Sequence, residues 1–305
     1  MPTDTISVPY QVLYIVLPTI SILGNALIVY ATVLSRELRN PCNIFIALIA
    51  VGDIMLMFSF YTTVVAYMLY EDHLIPHDIC VYFNIVPNFG SCFSTMLLLT
   101  LAVDRLLSLT SLYRLVSRTY GKLYIAVQLL PGCIFGLIVD VSMIINRKKE
   151  KDVLCTISAP LLPSSNEYFI RTMFIIYVLI VLCYSFFALF LKIVKISNEI
   201  TKNVYRSLIV ISMTMVCGMF GGAIVAMTDD AHNPSISSIL LVGIFINVGT
   251  AVNFFAYYFL SSQYRKVFDD VIGIDRLKNA VFSNKLTTVH YISTRSVAAP
   301  RIFKK

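Results

Sequence analysis

Hydrophobic residues fall along this chain of 305 residues in seven long blocks, divided by short polar stretches. The blocks are 12–34, 43–70, 80–103, 123–145, 172–191, 207–228 and 236–262. A helix needs about 20 mostly apolar residues to cross the hydrocarbon core, because lipid offers its backbone no hydrogen-bond partner. The pattern therefore predicts seven membrane-spanning helices and no eighth. Only Asp53 and Asp140 interrupt the blocks with a charge. After the last block, apolar residues recur at 264, 267, 268, 271 and 272 beside Arg265 and Lys266. That spacing suits an amphipathic helix lying on the membrane surface. The expected fold class is an all-α membrane protein, a seven-transmembrane helix bundle. It divides into a short extracellular N-terminus (1–11), the bundle (12–262) and a cytoplasmic tail (263–305).

Composition agrees with lipid as the solvent. Hydrophobic residues make up 58% and charged residues 13%, about half the charge of a soluble domain, and the mean hydropathy is +0.79. The net charge of +7 is first a topology signal, since loops on the cytoplasmic side collect Lys and Arg. With the N-terminus outside and the C-terminus inside, nineteen of the 24 basic residues fall on the inner side. The five exceptions are Arg171 and the outer cluster Arg147-Lys148-Lys149 with Lys151. Glu71, Asp72, Asp78, Asp229 and Asp230 make the outer loops otherwise acidic. Nucleic acid drops out as a partner. The first ten residues carry no basic cluster, so the first span is expected to act as its own insertion signal. Seven cysteines without a CxxC pair argue against a zinc framework.

The intramembrane polar residues carry the functional reading, because an acid at bilayer depth must face the bundle interior and marks function by default. Asn25, Asp53, Cys80 and Arg105 follow one another at intervals of 28, 27 and 25 residues. Gly24-Asn25, Asp53, Cys80, Asp104-Arg105-Leu106 and Asn253-Phe254-Phe255-Ala256-Tyr257 stand in order along seven spans, with Tyr264-Arg265 seven residues beyond Tyr257. In these landmarks the chain resembles the rhodopsin-like G-protein-coupled receptors. More narrowly, Ala102 to Leu109, Pro87, Phe89-Gly90 and Val181-Leu182-Cys183-Tyr184 resemble nematode serpentine chemoreceptors of the Srsx type. The resemblance runs from about Gly24 to Arg265. It implies a chemosensory receptor that acts through a heterotrimeric G protein at the plasma membrane, in the sensory cilium by the same resemblance, with arrestin and a receptor kinase as further partners.

Three departures stand against the family pattern. The fifth span has no internal proline, the sixth lacks the Trp and Pro pair, and Asn253 is followed by Phe254. Gly218, Gly221 and Gly222 offer another way to soften the sixth helix.

The resemblance implies roles residue by residue. Asp104 and Arg105 form the activation switch, with Tyr184, Asn253 and Tyr257 as its supports; the alternative for Arg105 is an interfacial side chain reaching headgroups. Asn25, Asp53, Ser94 and Asn253 outline an internal polar or sodium site. The alternative is a neutral Asp53 bonded to Asn25 or Asn253 for packing alone. Cys80 and Cys155 both fall on the outer side, where a disulfide persists; the alternative is two free thiols. Tyr82, Asn84, Asn88, Asp140 and Tyr177 outline a mostly apolar ligand pocket, although Asp140 equally suits a reach outward to Lys148 or Lys149. His73 and His77, with Asp72 and Asp78, resemble a metal site, but Pro76 breaks their alignment and a solvated loop is expected.

The ligand class narrows by elimination within the resemblance. Pro87 stands where amine receptors carry an Asp, and Asn247 stands where opsins carry their retinal lysine. No protein cofactor is expected apart from the sodium ion at Asp53. An enzyme is not expected, since GxSxG, HExxH, paired acids and a phosphate loop are absent. A transporter or channel lacks support from inverted repeats or intramembrane charge chains. A neuropeptide receptor is the alternative within the receptor class. Ser283, Thr287, Thr288, Ser293, Thr294 and Ser296 in the tail are candidate phosphorylation sites or plain polar chain.

Overall fold

The computed structural model describes residues 6–108, 120–161, 163–193, 199–228 and 235–272. The tail beyond Ile272, with its candidate phosphorylation sites, lies outside the described residues. The helices are α1 (Val8–Leu34), α2 (Pro41–Leu69), α3 (His77–Leu107), α4 (Gly121–Ile145), α5 (Pro163–Ile193), α6 (Glu199–Thr228), α7 (Ile236–Leu260) and the short α8 (Ser262–Ile272). Among the described residues, six of them are long and apolar enough to cross a membrane, and α6 adds the apolar stretch Val216–Thr228. The fold is an all-α bundle of seven spanning helices, as the hydropathy pattern predicts.

Several helices run past their apolar blocks. α5 begins at Pro163, well before Thr172, because Glu167 and Arg171 pair at 2.5 Å one turn apart and let charged residues continue the helix. α3 likewise absorbs His77-Asp78 at one end and Asp104-Arg105 at the other. Local chemistry sets two of the starts. The Asn40 side chain caps α2 by accepting the Asn43 N–H at 2.9 Å, with Pro41 at the first turn, and Ser235 caps α7 by accepting from the Ser238 N–H at 3.2 Å.

Burial is arranged for lipid. Large apolar side chains such as Val12, Val16, Leu23, Leu130, Ile134 and Ile138 point outward. Asn84, Asn88, Ser94, Thr95, Asp104 and Arg105 of α3 are buried. α3 packs against α2, α4 and α5, and α7 against α1 and α6. Gly52 and Gly90 permit the α2–α3 approach, since a Cβ on Gly52 would stand 2.8 Å from the Gly90 carbonyl oxygen. Gly218 plays the same part between α6 and α7, where a Cβ would meet the Gly249 Cα at 2.6 Å. Gly218, one of the three glycines expected to soften α6, also packs closely against α7. α8 is docked by the buried Tyr264 and Phe268, with the Tyr264 and Thr32 hydroxyls 3.1 Å apart. Of the free cysteines, Cys42 and Cys92 are buried and Cys217 is exposed.

One end of the bundle carries a covalent cap. β1 (Ile75–Pro76) pairs antiparallel with β2 (Asp152–Val153), and Cys80 is bonded to Cys155 across 75 residues of sequence. The expectation of a solvated loop around the histidines is corrected here. His73 stacks on Tyr67 with ring centroids 3.9 Å apart and bonds its carbonyl at 2.7 Å. His77 is buried, donates its backbone N–H to Lys151 O at 2.8 Å, and accepts the Lys148 N–H on Nδ1 at 3.1 Å. Packing against the cap, rather than hydrophilicity, decides both positions.

Closing so long a loop removes freedom mainly from the unfolded chain. Cys155→Ser is expected to lower the stability of the purified protein by about 2–5 kcal/mol, read as a drop in thermal midpoint that dithiothreitol reproduces in the parent. Unchanged melting in both cases would show the cap to be energetically idle.

Candidate functional site

Polar residues gather in three places along the bundle axis, and α3 passes through all of them. In the middle, Asp53 of α2 is buried with the Ser94 side chain of α3 within hydrogen-bonding reach. The Gly52–Gly90 approach beside it brings Ser94 close: a Cβ on Gly52 would also meet the Ser94 Cβ at 2.9 Å. Asn253 of α7 donates to Asn25 Oδ1 at 3.2 Å, and Asn25 donates to the Ser21 carbonyl at 3.0 Å. The structure therefore brings the four predicted residues together as two pairs. Among the described residues, Asp53 bonds neither Asn25 nor Asn253, so the purely packing alternative loses its proposed partner. Asp53 Oδ2 and Asn253 Oδ1 are both buried and unpartnered. Two orphan oxygens with a nearby hydroxyl are hard donors, the type that a small cation prefers.

At the end away from the disulfide, Arg105 is 8% exposed and pairs with its neighbour Asp104. Asp104 is completely buried, and it also accepts the Tyr124 hydroxyl of α4 at 2.5 Å. Sequence reasoning missed Tyr124. It lies 20 residues from Asp104 in a segment with no motif, and only the α3–α4 packing brings it in. Tyr184 and Tyr257 are both buried and lie within electrostatic range of each other. Tyr257 stacks obliquely on Tyr264, with centroids 4.9 Å apart. The guanidinium is thus held by a carboxylate that is itself held by a phenol, a charge-assisted arrangement stronger than a neutral hydrogen bond.

At the disulfide end, the residues expected to line one pocket are dispersed. Tyr82 is 56% exposed, and its hydroxyl accepts from Arg147 at 2.9 Å on the outside of the bundle. Asn84 accepts from Ser59 at 2.7 Å and donates to the Cys80 carbonyl at 3.1 Å and to Cys155 Sγ at 3.2 Å. It supports the disulfide. Asn88 donates to the Ile157 carbonyl at 3.1 Å, tying the loop above it to α3. Tyr177 lies buried with its hydroxyl 3.4 Å from that of Thr95. Asp140 is buried, within electrostatic range of Cys92, and its Oδ1 has no partner. Its reach toward Lys148 or Lys149 does not occur, because the helix turns this residue onto α3.

The cavity at this end has other walls. About 130 Å³ of space lies between α1, α2, α5, α6 and α7 under residues 156–158 of the capping loop. Tyr14, Phe60, Phe169, Ile239 and Val242 are among the residues lining it. The Tyr14 hydroxyl is already committed to the Leu240 carbonyl at 3.0 Å. No sequence signal marked these residues, since apolar positions lining a void look like any other core position. Among the described residues, no group of three or more His, Cys, Asp or Glu side chains is arranged to hold a metal ion.

Comparison with known proteins gives a consistent picture. The family model described as "Serpentine type 7TM GPCR chemoreceptor Srsx" matches residues 18–272. Opsin Rh6 of Drosophila melanogaster is 29% identical over 90 residues, 30% of this chain and 24% of the relative. A melanopsin-like protein of Danio rerio is 34% identical over 124 residues, 38% of this chain and 25% of the relative. The rhodopsin of Cataglyphis bombycina is 26% identical over 90 residues, 30% and 24% respectively. The chain spans about a quarter of the length of these curated relatives.

The Asn84 arrangement is testable by itself. Asn84→Leu keeps the volume while leaving the Ser59 hydroxyl without its acceptor, at a cost of about 1–3 kcal/mol. A lower thermal midpoint with the disulfide still formed is expected, whereas full stability in the variant would remove Asn84 from the support of the cap.

Proposed function

The chain belongs to the serpentine seven-transmembrane G-protein-coupled chemoreceptor family Srsx, and we propose that it binds a small extracellular molecule at the disulfide end and activates a heterotrimeric G protein at the Arg105 end. The observation that carries this reading is the burial of Arg105 by Asp104 and Tyr124. A cation withdrawn from solvent at one end of α3 is available to a partner only after the helices around it move. Ligand binding at the other end of the bundle biases that movement, which requires only that the ligand prefer one of the two packings.

The distribution of Lys and Arg supports an extracellular N-terminus and a cytoplasmic C-terminus. The receptor sits in the plasma membrane on this reading, in a sensory cilium where the cell has one. Receptor kinase and arrestin would act on the tail Ser and Thr residues. The protein acts as a receptor and not as an enzyme. A sodium ion fits the middle cluster, where Asp53, Ser94 and Asn253 would hold it and its charge would balance the buried carboxylate. The opsin relatives raise light sensing as a second reading. Against it, the position of the retinal lysine is Asn247, a buried amide bonded to the Gly243 carbonyl at 2.8 Å, and an amide cannot replace that amine. A peptide ligand is disfavoured by a cavity of only about 130 Å³.

Expressed with a G-protein dissociation sensor, Arg105→Ala at equal surface level is expected to lose all coupling, including basal coupling. Tyr124→Phe frees one side of Asp104 and is expected to raise basal coupling by about tenfold or more, the worth of a hydrogen bond to a charged group. An ionic current that needs no G protein and survives Arg105→Ala would sink the reading in favour of a channel. The sodium site has its own readout. Replacing choline chloride with sodium chloride at constant ionic strength should raise the thermal midpoint of the parent and leave Asp53→Asn unchanged; equal responses would remove the ion.

A further inference from the structure

We propose that the cavity at the disulfide end takes a small, uncharged, lipophilic molecule that donates one hydrogen bond, a phenol or short alcohol, with the Asn166 carboxamide as its anchor. This rests on the receptor reading above and names the ligand class of that site. Size sets the first limit. At about 130 Å³ the space is close to the roughly 150 Å³ apolar cavity that holds benzene in a protein interior. About six to nine heavy atoms fit, and a retinoid or a peptide does not.

Charge sets the second limit. None of the described residues lining the cavity is charged, and burying an ammonium or carboxylate without a partner is far costlier than burying a neutral group. Hydrogen bonding sets the third. The Tyr14 hydroxyl is committed to Leu240 O at 3.0 Å, and the Thr63 hydroxyl donates to Ser59 O at 3.0 Å. The Asn166 Oδ1 in the first turns of α5 also lines the cavity, is cut off from solvent and has no partner. A buried acceptor left unmet is the group that an incoming hydroxyl would satisfy, and satisfying it is what separates an alcohol from a hydrocarbon of equal size. The roof includes Ile157, whose carbonyl Asn88 holds at 3.1 Å. An occupant pressing on the roof therefore presses on α3, the helix that carries Arg105.

The test uses the full chain in lipid nanodiscs, with phenol, toluene and benzoate as probes, and measures saturable binding by ligand-observed NMR against protein-free nanodiscs. Phenol is expected to bind about fivefold or more tighter than toluene, and benzoate not at all. Asn166→Leu should erase the preference for phenol while toluene still binds, which also shows the variant folded. Ala226→Leu, which fills the space, should lose both. Equal affinity for phenol and toluene in the parent, binding of benzoate, binding that survives Ala226→Leu, or no saturable binding of any probe would each overturn the proposal. The assay contains no G protein. Its failure therefore leaves basal coupling, and with it the receptor reading, standing, whereas loss of coupling with phenol binding intact would strike the receptor reading alone.

Discussion

Nothing in the hydrocarbon core can hydrogen-bond a protein, so every polar group that enters it must find a partner inside the bundle. That constraint explains why α3 is the axis. Its buried residues include three amides or acids and several hydroxyls, spread from Asn84 near the disulfide to Asp104 at the other end. Each draws in a neighbour: Ser59 of α2 to Asn84, the capping loop to Asn88, Asp53 of α2 to Ser94, Tyr177 of α5 to Thr95, and Tyr124 of α4 to Asp104. Apolar packing in lipid has little driving force of its own, since lipid tails are as apolar as Leu. The polar contacts and the glycine approaches together therefore decide which helix faces sit against α3.

The three acids within the bundle meet the constraint to different degrees. Asp104 has a cation and a phenol, Asp53 has the Ser94 side chain nearby but an unpartnered Oδ2, and the Oδ1 of Asp140 has no partner. A satisfied acid stabilises the packing that satisfies it, and breaking that packing exposes the full desolvation cost of whatever is left. Asp104 is accordingly tied to the packing of α3 against α4. Asp53 keeps a buried oxygen without a partner, as does Asn253 of α7, so the middle of the bundle is the least satisfied part of this polar chain. Asp104 and Asp53 sit on or against α3, so neither can change without being felt along that helix.

Much of this was legible in the sequence because lipid imposes a simple rule. Length and charge exclusion give the number and type of helices; the two acids that violate the exclusion, Asp53 and Asp140, are both buried, each with an unpartnered oxygen, and Asp104 and Arg105 just past the third block are buried and paired. Boundaries were less legible, since hydropathy senses the hydrocarbon core and α5 continues beyond it on the Glu167–Arg171 pair. Side-chain direction was least legible. Tyr82 and Asn84 are two residues apart on α3, which places them on opposite sides, one bonded to Arg147 outside and one beneath the disulfide. Asn166 and Tyr124 gave no signal, because Tyr124 matters only through Asp104 on another helix and Asn166 only through the cavity it lines.

The α6–α7 contact shows how a departure in sequence becomes a difference in mechanics. α6 has no Trp and Pro pair, and its contact with α7 includes Gly218 lying against Gly249, so that the two backbones approach closely there. Dispersion between atoms in contact falls steeply with a small gap, so a sliding or swinging α6 loses this contact almost at once instead of gradually. Close-packed interfaces of this kind favour two discrete arrangements over a continuous range. A backbone-to-backbone seat can therefore supply the bistability that a switch needs without a kinked helix. On the receptor mechanism proposed above, this seat is a mechanical threshold between α6 and α7, separate from the electrostatic one at Asp104.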